Sequence, residues 1–215
     1  MLHNNRTGYT LPRIILISSG EEKPDNYGLL IDQLNLLPAS IPCIVQIREK
    51  HLDTKHLLTL AQKAREIKLP EGSLLFCNER ADVALAAALD GIHMPENACP
   101  ADKLRAFAPN LIVGCSIHSH EALRLAEESG ADYLLFGPVF DTPSKRKYGA
   151  PQGLKRLGDL CRKTSLPVFA LGGITPENAA LCMDKGAFGT AGLSIFRDTS
   201  RLKETLEQFY CIVYP

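Results

Sequence analysis

A parallel (β/α)8 barrel is the fold this chain predicts, and two observations carry that reading. Short apolar runs alternate with helix-like segments eight times along 215 residues, with no linker or low-complexity stretch between them. Almost every run ends in polar or glycine residues, as expected where the strands of a barrel open into its functional face. Strands buried on both faces read as continuous apolar runs, which is how these appear. A doubly wound open sheet is the competing fold, but eight regular units in this length fit closure better.

The first unit is Ile14 to Ser18 followed by a helix over Tyr27 to Leu37. Pro42 then introduces the run Cys43 to Ile47, which breaks into Arg48, Glu49 and Lys50 before a helix from Asp53 to Lys68. Ser73 to Cys77 is the third strand and leads through Asn78 and Glu79 into a helix over Ala81 to Leu89. Asp90 to Met94 is the fourth, with a helix after Pro100. Leu111 to Cys115 is the fifth and opens into Ser116, Ile117, His118 and Ser119. The amphipathic helix His120 to Ser129 stops at Gly130, which tolerates the left-handed backbone of a helix end. Tyr133 to Phe136 is the sixth strand, and a long loop, 137–153, precedes the helix Leu154 to Lys163. Pro167 to Leu171 and Phe188 to Leu193 are the seventh and eighth strands. Helices over Pro176 to Lys185 and Ser200 to Cys211 follow them. The expectation is one domain over 1–215, residues 1–12 being an N-terminal extension.

Composition narrows the function classes. Lys and Arg balance Asp and Glu at 24 each, so nothing in the net field points to nucleic acid or a membrane surface as partner. Seven cysteines without a C-x-x-C pair favour reduced, mostly buried thiols. The N-terminus does not read as a secretory signal, and no run approaches the roughly 18 apolar residues of a membrane-spanning helix. A cytoplasmic location is expected, and a homo-oligomer is compatible with the sequence.

Two glycine-bearing turns mark a phosphate site. In PVFALGGIT, Gly172 and Gly173 remove side chains that would keep an anion from the backbone, and Thr175 and Pro176 suit a helix N-cap and first turn. One unit later, GTAGLSIF makes the next small-residue turn, offering backbone N–H groups at Leu193 and Ser194. Loops after strands seven and eight commonly form one phosphate site in such barrels.

Alternation along the second strand places Gln46, Arg48 and Lys50 on one face, which suits a phosphorylated substrate. The plainer alternative is a solvated strand end with Glu49 as ion-pair partner. His118 is the candidate for proton transfer because imidazole titrates near neutrality. His93 is read as a satisfied structural histidine. Glu79 is either a carboxylate able to help hold a hard cation or a solvent-facing helix-start residue.

Six motifs then become recognisable in order: VQIREK at Val45, CNERADVAL at Cys77, DGIHMP at Asp90, GCSIHS at Gly114, FGPVFDTPSK at Phe136 and ALGGIT at Ala170. Together they resemble the thiamine phosphate synthase and TenI superfamily over nearly the whole chain. The resemblance implies a barrel that binds a thiazole phosphate, and two activities share that scaffold. A synthase joins hydroxymethylpyrimidine pyrophosphate to thiazole phosphate with Mg2+. A TenI-type tautomerase moves a proton on a thiazole carboxylate phosphate and needs no metal.

Synthases resembled here usually carry Asn-Asp after strand three and His-x-Gly-Gln-x-Asp after strand four. This chain has Glu79 for the first aspartate and Ala98 for the second. On that departure the expectation is a TenI-like thiazole tautomerase without cofactor. A synthase, with Mg2+ on Glu79, is the second reading, and a thiazole-phosphate-binding or regulatory protein without turnover is the third. The tautomerase reading assigns proton transfer to His118, phosphate binding to Gly172, Gly173, Leu193 and Ser194, and thiazole contacts to Thr142, Ser144 and Lys145. Arg48 and Lys50 then orient the anionic end. The synthase reading assigns Gln46, Arg48, Lys50, Asn78 and Ser116 to the pyrimidine pyrophosphate.

Overall fold

A computed structural model describes residues 10–142, 146 and 150–215. Eight parallel strands, β1 (Ile14–Ile17), β2 (Ile44–Ile47), β3 (Leu74–Asn78), β4 (Gly91–Met94), β5 (Ile112–Ile117), β6 (Tyr133–Phe136), β7 (Val168–Leu171) and β8 (Gly189–Gly192), pair in sequence order. β8 closes on β1 through Ile15↔Ala191, so the expected barrel is the observed fold. The helices alternate with the strands: α1 (Gly28–Asn35), α2 (Thr54–Glu66), α3 (Ala81–Ala86), α4 (Ala101–Arg105), α5 (His120–Glu128), α6 (Gly153–Cys161), α7 (Pro176–Asp184) and α8 (Leu202–Val213).

The apolar runs have no hydrophilic face because each strand is covered twice. Ile15, Ile17, Ile44, Leu74, Phe76, Ile112, Tyr133, Leu135, Phe169 and Ala191 form the cluster inside the barrel. The alternate residues Leu16, Val45, Leu75, Cys77, Ile92, Val113, Leu134 and Ala170 pack outward with the helices. Leu11, within the stretch expected as an extension, is buried with the inner cluster.

Local chemistry sets the helix starts. Asp53 accepts from the His56 N–H at 2.9 Å to cap α2, and Ser119 accepts from the Ala122 N–H at 3.0 Å to cap α5. Before α7, the Asn178 side chain accepts from the Thr175 N–H and donates to the Gly173 carbonyl, both at 2.9 Å, which holds the expected turn.

One boundary differs in a way that matters. Ser116 and Ile117 lie within β5 and not in an opening loop, because the ladder to β6 continues through Ser116↔Leu135 and Ile117↔Phe136. Ser116 is thereby a strand residue at the mouth. At the opposite end of that strand, the buried Asp132 carboxylate accepts from the Val113 N–H at 2.8 Å and from Arg105 Nη2 at 2.6 Å. Arg105→Ala leaves that carboxylate short of its charged donor. Its expected effect is a loss of about 2 kcal/mol, read as a lower urea midpoint at unchanged slope.

Candidate active site

The mouth is built from the carboxyl ends of β2 to β5, where the inward apolar residues give way to Gln46, Asn78, His93 and Ser116. Gln46 is buried and donates through Nε2 to Asn78 Oδ1 at 2.9 Å. Asn78 Nδ2 donates to Glu79 Oε2 at 2.7 Å, and the same oxygen meets Lys50 Nζ at 2.7 Å. A single polar chain therefore runs from the barrel interior to its rim. Its inner end is unfinished, because Gln46 Oε1 is buried without a hydrogen-bond partner among the described residues. A buried acceptor left this way costs about 1–3 kcal/mol, so it favours a ligand that brings an N–H.

Lys50 holds the Glu79 carboxyl below the usual range, chiefly through their hydrogen bond. Glu79 adopts a left-handed backbone with φ of 62°, unusual for a residue with a side chain, and its N–H donates to the His93 carbonyl at 3.0 Å. That turn aims the carboxylate back across the rim toward Lys50. Arg48 lies near enough to both Glu79 and His93 to bias their charge. The alternative with Glu49 as ion-pair partner is not what forms. Glu49 is buried on the other side of the strand end, accepting from Ser18 Oγ at 2.5 Å, the Gly20 N–H at 2.9 Å and the Glu22 N–H at 3.0 Å.

His93 is buried as expected of a structural histidine. Its Nδ1 is 2.9 Å from Tyr133 Oη and its Nε2 is 2.8 Å from Ser116 Oγ. Burial, reinforced by Arg48, pushes its pKa down to about 3. The unfolded imidazole titrates near 6.5, so between about pH 3 and 6.5 the unfolded chain binds a proton that the folded chain refuses. Stability is expected to fall as pH drops through that window, by up to about 1.4 kcal/mol per pH unit from this group. Urea unfolding of wild type and His93→Gln at pH 7 and 5 checks it: the gap between the two must narrow or reverse at the lower pH.

His118 stands at the rim, about half exposed, with Nδ1 paired to Glu96 Oε2. Ser119 Oγ donates to the other Glu96 oxygen at 3.3 Å, and Arg156 Nη2 donates to the His118 carbonyl at 3.3 Å. Sequence reasoning overlooked Glu96, Tyr133 and Arg156. The available signal for Glu96 was its place three residues after His93, on the loop beside β5. Tyr133 gave none, since it reads as one more apolar strand residue.

The two glycines after β7 are required first by packing. A Cβ on Gly172, at φ 97°, would lie 2.5 Å from Pro138 Cβ, and one on Gly173, at φ 64°, would lie 2.6 Å from the Asp141 carbonyl oxygen. The loop after β6 is thus pressed onto this turn. Leu193 follows β8 directly, and Ser194 begins a short 3-10 turn and is exposed. Thr142 is partly buried next to Asp141, whereas Ser144 and Lys145 lie outside the described residues. Among those described, no group of three His, Cys, Asp or Glu side chains is arranged to hold a metal, and no helix is long and apolar enough to cross a membrane.

Comparison with known proteins bears on the activity. A family described as thiamine monophosphate synthase matches residues 16–196. A putative thiamine-phosphate synthase 2 of Aquifex aeolicus is 39% identical over 86% of this chain and 98% of its own length. A thiamine-phosphate synthase of Methanoculleus marisnigri is 38% identical over 76% and 78%. Among solved structures, thiamine phosphate pyrophosphorylase from Pyrococcus furiosus superposes with a TM-score of 0.78 at 29% identity, covering 94% of this chain and 95% of that one.

These relatives overturn the tautomerase expectation, for they carry the synthase name in both sequence and structure comparisons. The expectation leaned on Glu79 and Ala98 at the two aspartate positions and on the Met94-Pro95 and Ser116 to Ser119 stretches. Without a tautomerase, the proton transfer assigned to His118 loses the reaction it served. By its sequence over residues 16–196 and by its closed barrel, the chain belongs to the thiamine monophosphate synthase family.

Proposed function

We propose that this protein is a thiamine phosphate synthase, a transferase that joins hydroxymethylpyrimidine pyrophosphate to thiazole phosphate. The observation that carries the reading is the polar chain at the ends of β2 and β3. A buried amide oxygen on Gln46, unpartnered among the described residues, lies below a Lys50–Glu79 pair, with Arg48 beside it. That arrangement suits a ring bearing an N–H donor, seated deep, with a multiply charged anion above it at the rim.

In the reaction, the bond from the pyrimidine methylene carbon to pyrophosphate oxygen breaks and the thiazole nitrogen bonds to that carbon. Arg48 and Lys50 meet the charge that accumulates on the departing pyrophosphate. Gln46 and Asn78 orient the pyrimidine, and Ser116 contacts the same substrate. Gly172, Gly173, Leu193 and Ser194 hold the thiazole phosphate through backbone N–H groups, with Thr142, Ser144 and Lys145 along the thiazole. His118, steadied by Glu96, is a rim donor toward bound anions.

The donors on hand fit a Mg2+ held largely by substrate. Glu79 supplies one hard carboxylate, and one carboxylate with phosphate oxygens suffices for this ion. Mg2+, with Glu79 to help hold it, would supply charge that neutralises the leaving group. Free thiols at all seven cysteines and a balanced net charge support a cytoplasmic enzyme of small phosphorylated substrates.

The test is formation of thiamine phosphate by purified protein from the two substrates, with and without Mg2+. Product that depends on both substrates supports the reading. Tight binding of thiazole phosphate without product rejects it.

A further inference from the structure

The buried line Tyr133–His93–Ser116 has only one economical arrangement of its protons. Tyr133 is fully buried inside the barrel, and among the described residues His93 Nδ1 is the hydrogen-bond partner of its hydroxyl, at 2.9 Å. Burial holds the phenol well above its ordinary pKa, so it keeps its proton and must place it. The imidazole beside it is neutral and therefore has one N–H and one bare nitrogen. Were Nδ1 the protonated nitrogen, the tyrosine O–H would point at no acceptor, and a buried donor would be stranded. With Nδ1 bare, Tyr133 donates to it, Nε2 carries the proton, and Nε2 donates to Ser116 Oγ, 2.8 Å away. The serine oxygen is then an acceptor on its inner side, and its own O–H is left to be given to something in the mouth.

Packing fixes this line in place. The Tyr133 ring lies 5.6 Å from the His93 ring, 5.9 Å from Phe76 and 5.4 Å edge-on from Phe169. It occupies the volume that a side chain on Gly114 would fill, since a Cβ there would be 1.9 Å from the Tyr133 ring. The phenol cannot slide away from the histidine without vacating a site shaped for it.

We propose that Tyr133 is a positioning residue that, through the Nε2–H tautomer of His93, turns the Ser116 hydroxyl outward as an obligate hydrogen-bond donor to the pyrimidine pyrophosphate. The substrate half of this statement rests on the synthase reading; the proton arrangement does not. A donor at that point meets negative charge on the phosphate oxygens, and His93, whose Nε2 already carries its proton, cannot take the serine's proton away.

Two measurements decide it. The first is the tautomer of His93, read by 15N NMR on ligand-free full-length protein with 15N-labelled histidine and assigned by loss of its signals in His93→Gln. The expected state is protonated Nε2 and bare Nδ1 at pH 7, and a protonated Nδ1 overturns the proposal whatever the enzyme does. The second is a cycle of Tyr133→Phe and Ser116→Ala followed by kcat/KM for thiamine phosphate formation. Tyr133→Phe keeps the ring and is expected to lower kcat/KM about 10-fold, within the range for a lost orienting group. The same change in the Ser116→Ala background is expected to do nothing further. An equal loss in both backgrounds would show a structural effect not routed through the serine and would overturn the proposal. Absence of any thiamine phosphate from wild type would remove the synthase reading while the tautomer still reports on the proton line.

Discussion

Lys50→Met is expected to lower kcat/KM for thiamine phosphate formation by about 10²–10³-fold, or about 3 to 4 kcal/mol of transition-state stabilisation. The loss has two sources that act in the same direction. Lys50 supplies positive charge where the pyrophosphate gathers negative charge, and it also neutralises Glu79 at 2.7 Å. Removing it also strips Glu79 of its paired cation, so more of the neutralisation at the rim falls on Mg2+. A steady-state assay over both substrates checks this. The larger part of the effect should fall on the pyrimidine pyrophosphate, with the KM for thiazole phosphate changed less than threefold. A Lys50→Met enzyme within threefold of wild type would take Lys50 out of the site.

Gly114→Ala is expected to be the most destabilising single methyl group that can be added near the site. The new Cβ would lie 1.9 Å from Tyr133 Cζ and 2.4 Å from its hydroxyl oxygen, inside a barrel already filled by Phe76, Phe169 and Tyr133. Neither ring nor backbone has free volume to yield into, so overpacking of this size costs about 3 kcal/mol. The check is equilibrium unfolding in urea, read as a lower midpoint with unchanged slope. In a Tyr133→Leu background the same alanine should cost less, since the atoms it strikes are absent and the two changes are coupled. Because the clash also displaces the phenol from His93, Gly114→Ala should slow turnover in whatever fraction remains folded.

The two variants probe different layers of one device. Lys50 acts at the rim, on charge, and its loss is felt in binding and chemistry with little effect on folding. Gly114 acts in the interior, on volume, and its loss is felt first in stability and only then in the orientation of Ser116. Their independence is itself measurable, since the two share no partner among the described residues.

Strand order, closure and the placing of the polar residues at one mouth were legible in the sequence. Their causes are local and repetitive: buried strands are continuously apolar, helices between them are amphipathic, and the chain turns polar or to glycine where the strands end. Thr175 and Pro176 mark the start of α7 for the same reason, since capping is decided by neighbouring residues. What the sequence left undecided depends on which side chains meet across strands. The partner of Lys50 is Glu79, 29 positions away, and Glu49 beside it turns inward to serve the loop after β1. Tyr133 looked like any other core aromatic until β4, β5 and β6 brought it to His93 and Ser116. The glycine pair after β7 looked like an anion cradle, and the fold adds that the loop after β6 could not pack there with side chains present. Pattern along the chain is a sum of local preferences, so it specifies the barrel. Hydrogen-bond direction, ion pairing and available volume are set only by atoms that distant segments bring together, so the chemistry of the mouth was decided by tertiary structure.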